Sequence, residues 1–166
     1  MTEQFKVSTS KVNTGFCPPP IFLNKLRLES LEGGYKFILI NDFTMEFSWD
    51  LEKNIVVRKG DIQVRKYVTV SLTACSGFET DLISSPRFLW SLFPPAGSGL
   101  MSSVIHDLLY RNDVPSPDGK YFDQKAADKI FRAGLDIEEN VSVCKKVAMY
   151  TALKLAGIRA WKENRK

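Results

Sequence analysis

The chain has few of the residues that several kinds of site depend on. Only one of its 166 residues is histidine, His106, and only three are cysteine: Cys17, Cys75 and Cys144. The cysteines are odd in number, far apart and form no C-x-x-C pair, which argues against a disulfide framework and a cysteine zinc site. With a single histidine and no cysteine cluster, a zinc centre is not expected. The thiols read as reduced, partly buried groups of a protein made in the cytosol. No serine stands in a G-x-S-x-G elbow, so a serine hydrolase of that type is not expected. No apolar run reaches the roughly 18–20 residues that cross a bilayer. Met1-Thr2-Glu3-Gln4-Phe5-Lys6 lacks the charged-then-apolar pattern of a signal peptide. Internal repeats and low-complexity segments are missing as well. What is present is ordinary globular composition, 44% hydrophobic and 25% charged, enough for one domain with its own core.

Charge is unevenly spread. The segment from Cys144 to Lys166 holds seven Lys/Arg and one acid, a balance of +6, while the whole chain carries +4. Lys145, Lys146, Arg159, Lys162, Arg165 and Lys166 could contact phosphates of lipid or nucleic acid. They also suit the solvated face and C-terminal end of a helix. No RNP motif, zinc finger or aromatic platform accompanies them, so nucleic acid is not an expected partner.

The organisation changes along the chain. Residues 1–20 are polar and end in Cys17-Pro18-Pro19-Pro20, which reads as an extended, partner-binding arm. Residues 21–76 are β-rich, with strand-like runs at 35–40, 43–49, 54–58 and 66–72 that form an antiparallel meander with one buried face. Residues 84–166 are helical. Ser84-Ser85-Pro86 is a helix start, with a short apolar helix from Arg87 to Phe93 closed by Pro94-Pro95. After the small-residue loop Ala96-Gly97-Ser98-Gly99, a helix from Leu100 to Arg111 carries Met101, Val104, Ile105 and Leu108 on one stripe. His106, Asp107 and Tyr110 fall on its other side. Asp123 caps the next helix, through about Leu135, with Ala127, Ile130, Phe131 and Leu135 buried and Asp128 at the edge. A last helix from Glu139 runs past Gly157 to Trp161, with a stripe of Cys144, Val147, Ala148, Thr151 and Leu155. The expected fold is α+β: an N-terminal antiparallel β-sheet packed against a C-terminal bundle of three or four helices.

Two helices joined by about a dozen residues pack antiparallel, which would bring Asp128 beside His106. A histidine oriented by a buried aspartate is a general base. Asp107, about 100° around the helix from His106, is placed to hold a hard cation, with Asp81 and the loop containing Gly97 and Gly99 as further oxygen donors. The same residues also fit a hydrogen-bond network that fixes how helices dock. The junction Gly77-Phe78-Glu79-Thr80-Asp81 and Ser84-Ser85-Pro86-Arg87 has two readings too. Thr80 and Asp81 could cap a helix start and Arg87 could pair with Asp81 or Asp107.

At these segments the chain resembles the phage and prophage proteins grouped as domain of unknown function 1353. The matching motifs are G-F-x-T-D with a following S-x-P-R (Gly77 to Asp81, Ser84 or Ser85, Pro86, Arg87), H-D-x-L-Y (His106 to Tyr110), A-D-x-x-F (Ala127 to Phe131) and M-Y-x-A-L with a later glycine (Met149 to Leu153, Gly157). Gln124 departs from that pattern, which has arginine there. The resemblance implies a virion component of the tail region, with other tail proteins as partners. It would sit in the host cytoplasm during assembly and then in the virion. Locally, H-D-x-x-Y is similar to the helix of secreted-type and parvovirus-capsid phospholipases. That similarity implies that His106 activates water, Asp128 orients it, Tyr110 bonds Asp128 and Asp107 binds calcium, with membrane lipid as substrate. The expectation is a tail or tail-tip protein with a His/Asp hydrolytic site acting on the host envelope. The alternative is a structural adaptor whose cluster only fixes helix packing.

Overall fold

A computed structural model describes residues 4–31, 36–61, 63–81 and 98–163. The strands are β1 (Phe5–Thr9), β2 (Asn13–Phe16), β3 (Ile21–Phe22), β4 (Leu28–Ser30), β5 (Phe37–Leu39), β6 (Phe43–Asp50), β7 (Ile55–Val56), β8 (Val64–Ala74) and β9 (Glu79–Thr80). The helices are α1 (Leu100–Arg111), α2 (Gln124–Ile137) and α3 (Val143–Glu163). The architecture is α+β, with antiparallel strands preceding helices.

The long antiparallel pair β6–β8 forms the centre of the main sheet, because alternation along both strands gives it one apolar face. Phe43, Met45, Phe47 and Trp49 lie opposite Ala74, Leu72, Val70 and Val68, and all eight are buried. The other face is polar: Thr44 and Thr73 share a 2.8 Å hydroxyl bond, and Ser71 donates to Glu46. β3 and β7 border β6, and a smaller sheet runs β4-β5-β9.

Within the expected arm, the stretch from Phe5 to Phe16 is not separate from the sheet. β1 pairs with β8 from Phe5↔Ala74 to Thr9↔Val70, and β2 from Asn13↔Tyr67 to Phe16↔Val64. β8 is an 11-residue strand whose free edge has backbone donors and acceptors to satisfy, and this segment satisfies them. Phe5 and Val7 pack against the core.

Helix α1 lies inside the protein, and every residue from Ser102 to Tyr110 is buried. The expected division into an apolar stripe and an opposite polar side is therefore replaced by burial all round. Val104, Ile105, Leu108 and Leu109 join the sheet core, and α2 and α3 pack against the helix as well. In α2 the expected stripe of Ala127, Ile130, Phe131 and Leu135 is buried, and Asp123 caps the helix by accepting the Ala126 N–H. The connector before it is pinned by Phe122, whose ring meets Trp49 and Phe47 edge-on.

Helix α3 turns the opposite way from the expected stripe. Cys144, Val147, Ala148 and Thr151 are exposed, and Leu155 lies outside the residues whose side chains are described. Met149 and Gly157 are buried, with Tyr150, Leu153 and Trp161 partly so. This inward row puts two aromatics, a leucine, a thioether and a glycine toward α1 and α2, and the small β-branched and alanine residues outward. The expected helix at 86–93 lies outside the described residues, as do Gly97, Ser84, Ser85, Pro86 and Arg87.

Candidate functional site

Three contacts set α1 and α2 antiparallel. Glu138, just past α2, meets Ser102 at the start of α1; Asp128 meets His106; and Asp128 also meets Tyr110 near the end of α1. His106 and Tyr110, four residues apart, share a helix face, so both reach one carboxylate. The tyrosine hydroxyl donates to Asp128 Oδ1 at 2.7 Å, while His106 Nε2 lies 3.4 Å from the same oxygen. The imidazole packs on the Tyr110 ring at 4.0 Å and faces Phe131 at 5.1 Å.

All three side chains are buried, at 8% exposure for His106, 6% for Asp128 and 4% for Tyr110. Burial pushes His106 below the usual imidazole value, against the upward pull of the hydrogen bond and charge of Asp128. The ring is therefore neutral near pH 7. Burial and the neighbouring Asp128 raise the Tyr110 hydroxyl well above the usual phenol value. It stays a donor and does not compete for the proton.

Asp107 points away from this group and belongs to a second cluster. Thr80 donates to its Oδ2 at 2.5 Å. Burial, and then the charge of Asp81, push its carboxyl well above the usual range, opposed by Arg111 and the Thr80 bond. Arg111 ties the cluster together. Its Nη2 is 2.5 Å from Asp81 Oδ1 and 3.9 Å from Asp107 Oδ2, and its Nη1 donates to the Glu79 carbonyl. Thus Asp81 and Asp107 are brought together, as the sequence suggested, but around a guanidinium.

These residues do not fit calcium. The cation would need free carboxylate oxygens, whereas Asp81 is taken by Arg111 and Asp107 faces the same guanidinium and accepts from Thr80. Gly99 lies at the N-terminus of α1 with φ 88°, and its carbonyl accepts from Ser103 N and Oγ. Among the described residues no group of three or more His, Cys, Asp or Glu is arranged to hold a metal. Of the expected calcium ligands, Asp81 and Asp107 stand in an ion-pair and hydrogen-bond cluster, Gly99 is engaged by Ser103, and Gly97 lies outside the described residues.

Several site residues were not identified from sequence. Glu138 accepts the Ser102 N–H at 2.8 Å and its hydroxyl at 2.5 Å. This places a carboxylate at the α1 N-terminus, where the helix dipole favours it. The contact spans 36 residues, and no local pattern announces it. Arg111 lies one helical turn past Asp107, a spacing that permits an ion pair but gives no hint of Asp81. Gly157 was visible only as a motif member. In the structure a Cβ there would stand 2.7 Å from the Tyr110 hydroxyl oxygen and 3.1 Å from Gln124 Nε2.

The family described as "Protein of unknown function (DUF1353)" matches residues 49–153. That stretch runs from the end of β6 through the first half of α3 and contains Thr80, Asp81, His106, Asp107, Tyr110, Asp128 and Met149. The chain belongs to this family. No curated protein and no solved structure matches it.

Proposed function

We propose that the protein is a phage tail or tail-tip component whose His106–Asp128 pair is a metal-independent general base, hydrolysing ester bonds of host-envelope lipid. The observation that carries this reading is His106 Nε2 lying 3.4 Å from the buried carboxylate of Asp128, with burial holding the imidazole below its usual value. A carboxylate in that place fixes the tautomer and stabilises the imidazolium formed when the base takes a proton. Nδ1 is then the nitrogen that activates water. Proton transfer of this kind contributes about 10²–10⁴-fold. The local sequence likeness to phospholipase helices suggests the substrate class, and the sequence resemblance to phage and prophage proteins suggests the virion setting.

The alternative, a structural adaptor of the virion, is favoured by the burial of α1 on all sides. A packed interior is where a polar network fixes helix docking. Phospholipid vesicles incubated with the purified protein, with added calcium or chelator, separate the two. Release of fatty acid that persists in chelator and disappears in a folded His106→Ala variant is the expected result. Absence of turnover, where a control phospholipase is active, overturns the hydrolase reading in favour of the adaptor.

A further inference from the structure

Helix α3 closes over Tyr110 at one point. The interior of a helix disfavours glycine by about 1 kcal/mol relative to alanine, and Gly157 is not among the glycines with positive φ. Close approach is what requires it. A Cβ at 2.7 Å from the Tyr110 hydroxyl is nearer than real side chains come, and Gln124 Nε2 would also lie only 3.1 Å from it. One turn further along α3, the Trp161 ring meets Tyr110 edge-on, centroids 4.9 Å apart and planes at 88°. The tyrosine is therefore held between α3 and Asp128.

We propose that α3 is a positioning element for the His106–Asp128 pair, with Gly157 and Trp161 seating the Tyr110 hydroxyl on the carboxylate oxygen that also faces the imidazole. The two bonds compete for Oδ1, and the tyrosine takes the shorter one. With α3 seated, part of the carboxylate's charge is spent on the phenol, and less is left for His106. With α3 lifted or Tyr110 displaced, the carboxylate turns to the imidazole and strengthens its hold on a proton. Among the described residues Asp128 on α2 is the charge that acts on His106, Tyr110 is its titratable neighbour on α1, and Phe131 on α2 is apolar.

This inference concerns the same pair as the hydrolase reading, but its test uses no substrate, so either can fail alone. His106 is the only histidine, and its ring resonance in ¹H–¹³C NMR spectra of the full chain titrates without overlap. Tyr110→Phe should raise the midpoint. Gly157→Ala and Trp161→Ala should each move it in the same direction, and Gly157→Ala should add nothing in a Tyr110→Phe background. Gly157→Ala should also cost stability in the wild-type chain but much less in that background. With the hydroxyl gone, the nearest remaining ring atom of residue 110, Cζ, is 3.7 Å away. A wild-type titration in Gly157→Ala, or in Trp161→Ala if the first variant does not fold, overturns the proposal. So does an unchanged midpoint in Tyr110→Phe.

Discussion

The carboxylate of Glu138 receives both the backbone N–H and the hydroxyl of Ser102, joining the end of α2 to the start of α1. Both residues are buried, so water cannot replace the bonds if one partner is removed. Glu138→Ala should cost about 1–3 kcal/mol. Glu138→Gln retains an acceptor oxygen and should cost less. Urea denaturation of the two variants checks the order, and an alanine variant within about 0.5 kcal/mol of wild type would show that the bond adds nothing.

The single histidine gives a clean pH signature. Because its folded-state value is lowered, the folded protein binds fewer protons than the unfolded chain. Its contribution to stability is present above the ordinary value near 6.5 and is lost as pH falls through the folded value. Wild type should lose more stability between about pH 7.5 and 5 than His106→Gln. Asp128→Asn removes the group that pulls the imidazole upward, so its NMR titration should move lower still; an upward move would contradict the assigned pairing.

Asp107 has the opposite sign. Its folded-state value is raised, so its favourable contribution is complete below the unfolded value near 3.8 and is lost as pH rises through the folded one. A carboxamide in its place would mimic the neutral acid, accepting from Thr80 and donating toward Asp81. Asp107→Asn should match wild type in acid and exceed it in stability at about pH 8. Denaturation midpoints at the two pH values decide the point, and a variant weaker only at the higher pH would reverse the assignment.

The orientation of α3 makes a simple contrast. Val147 is 51% exposed and Met149 is 6% exposed. Val147→Asp should change stability by no more than about 0.5 kcal/mol, whereas Met149→Ala should cost about 2–5 kcal/mol. Thermal or urea unfolding of both tests the observed face directly, since the stripe expected from sequence predicts the reverse.

Elements with local signals are legible in the chain alone. Alternation at Phe43, Met45 and Phe47 marks β6, and Asp123 with Ala127, Ile130 and Phe131 marks α2 and its cap. A lone histidine four residues before a tyrosine identified one face of α1, and a short connector implied the antiparallel hairpin that brings Asp128 to it. Whatever depends on partners distant in sequence is set by the folded arrangement. Residues 5–16 are polar enough to read as an arm, yet the edge of β8 offers them backbone bonds. On α3 both faces carry apolar residues, so periodicity could not choose between Val147 and Met149; the shape of the groove beside α1, and the room that Gly157 leaves for Tyr110, made that choice. Asp81 and Asp107 were legible as neighbours, but only the fold brings Arg111 to Asp81 and buries Asp107. Desolvation and the charge of Asp81 then push Asp107 toward its neutral form, against the pull of Arg111, in a pair of carboxylates that spacing alone would offer to a metal.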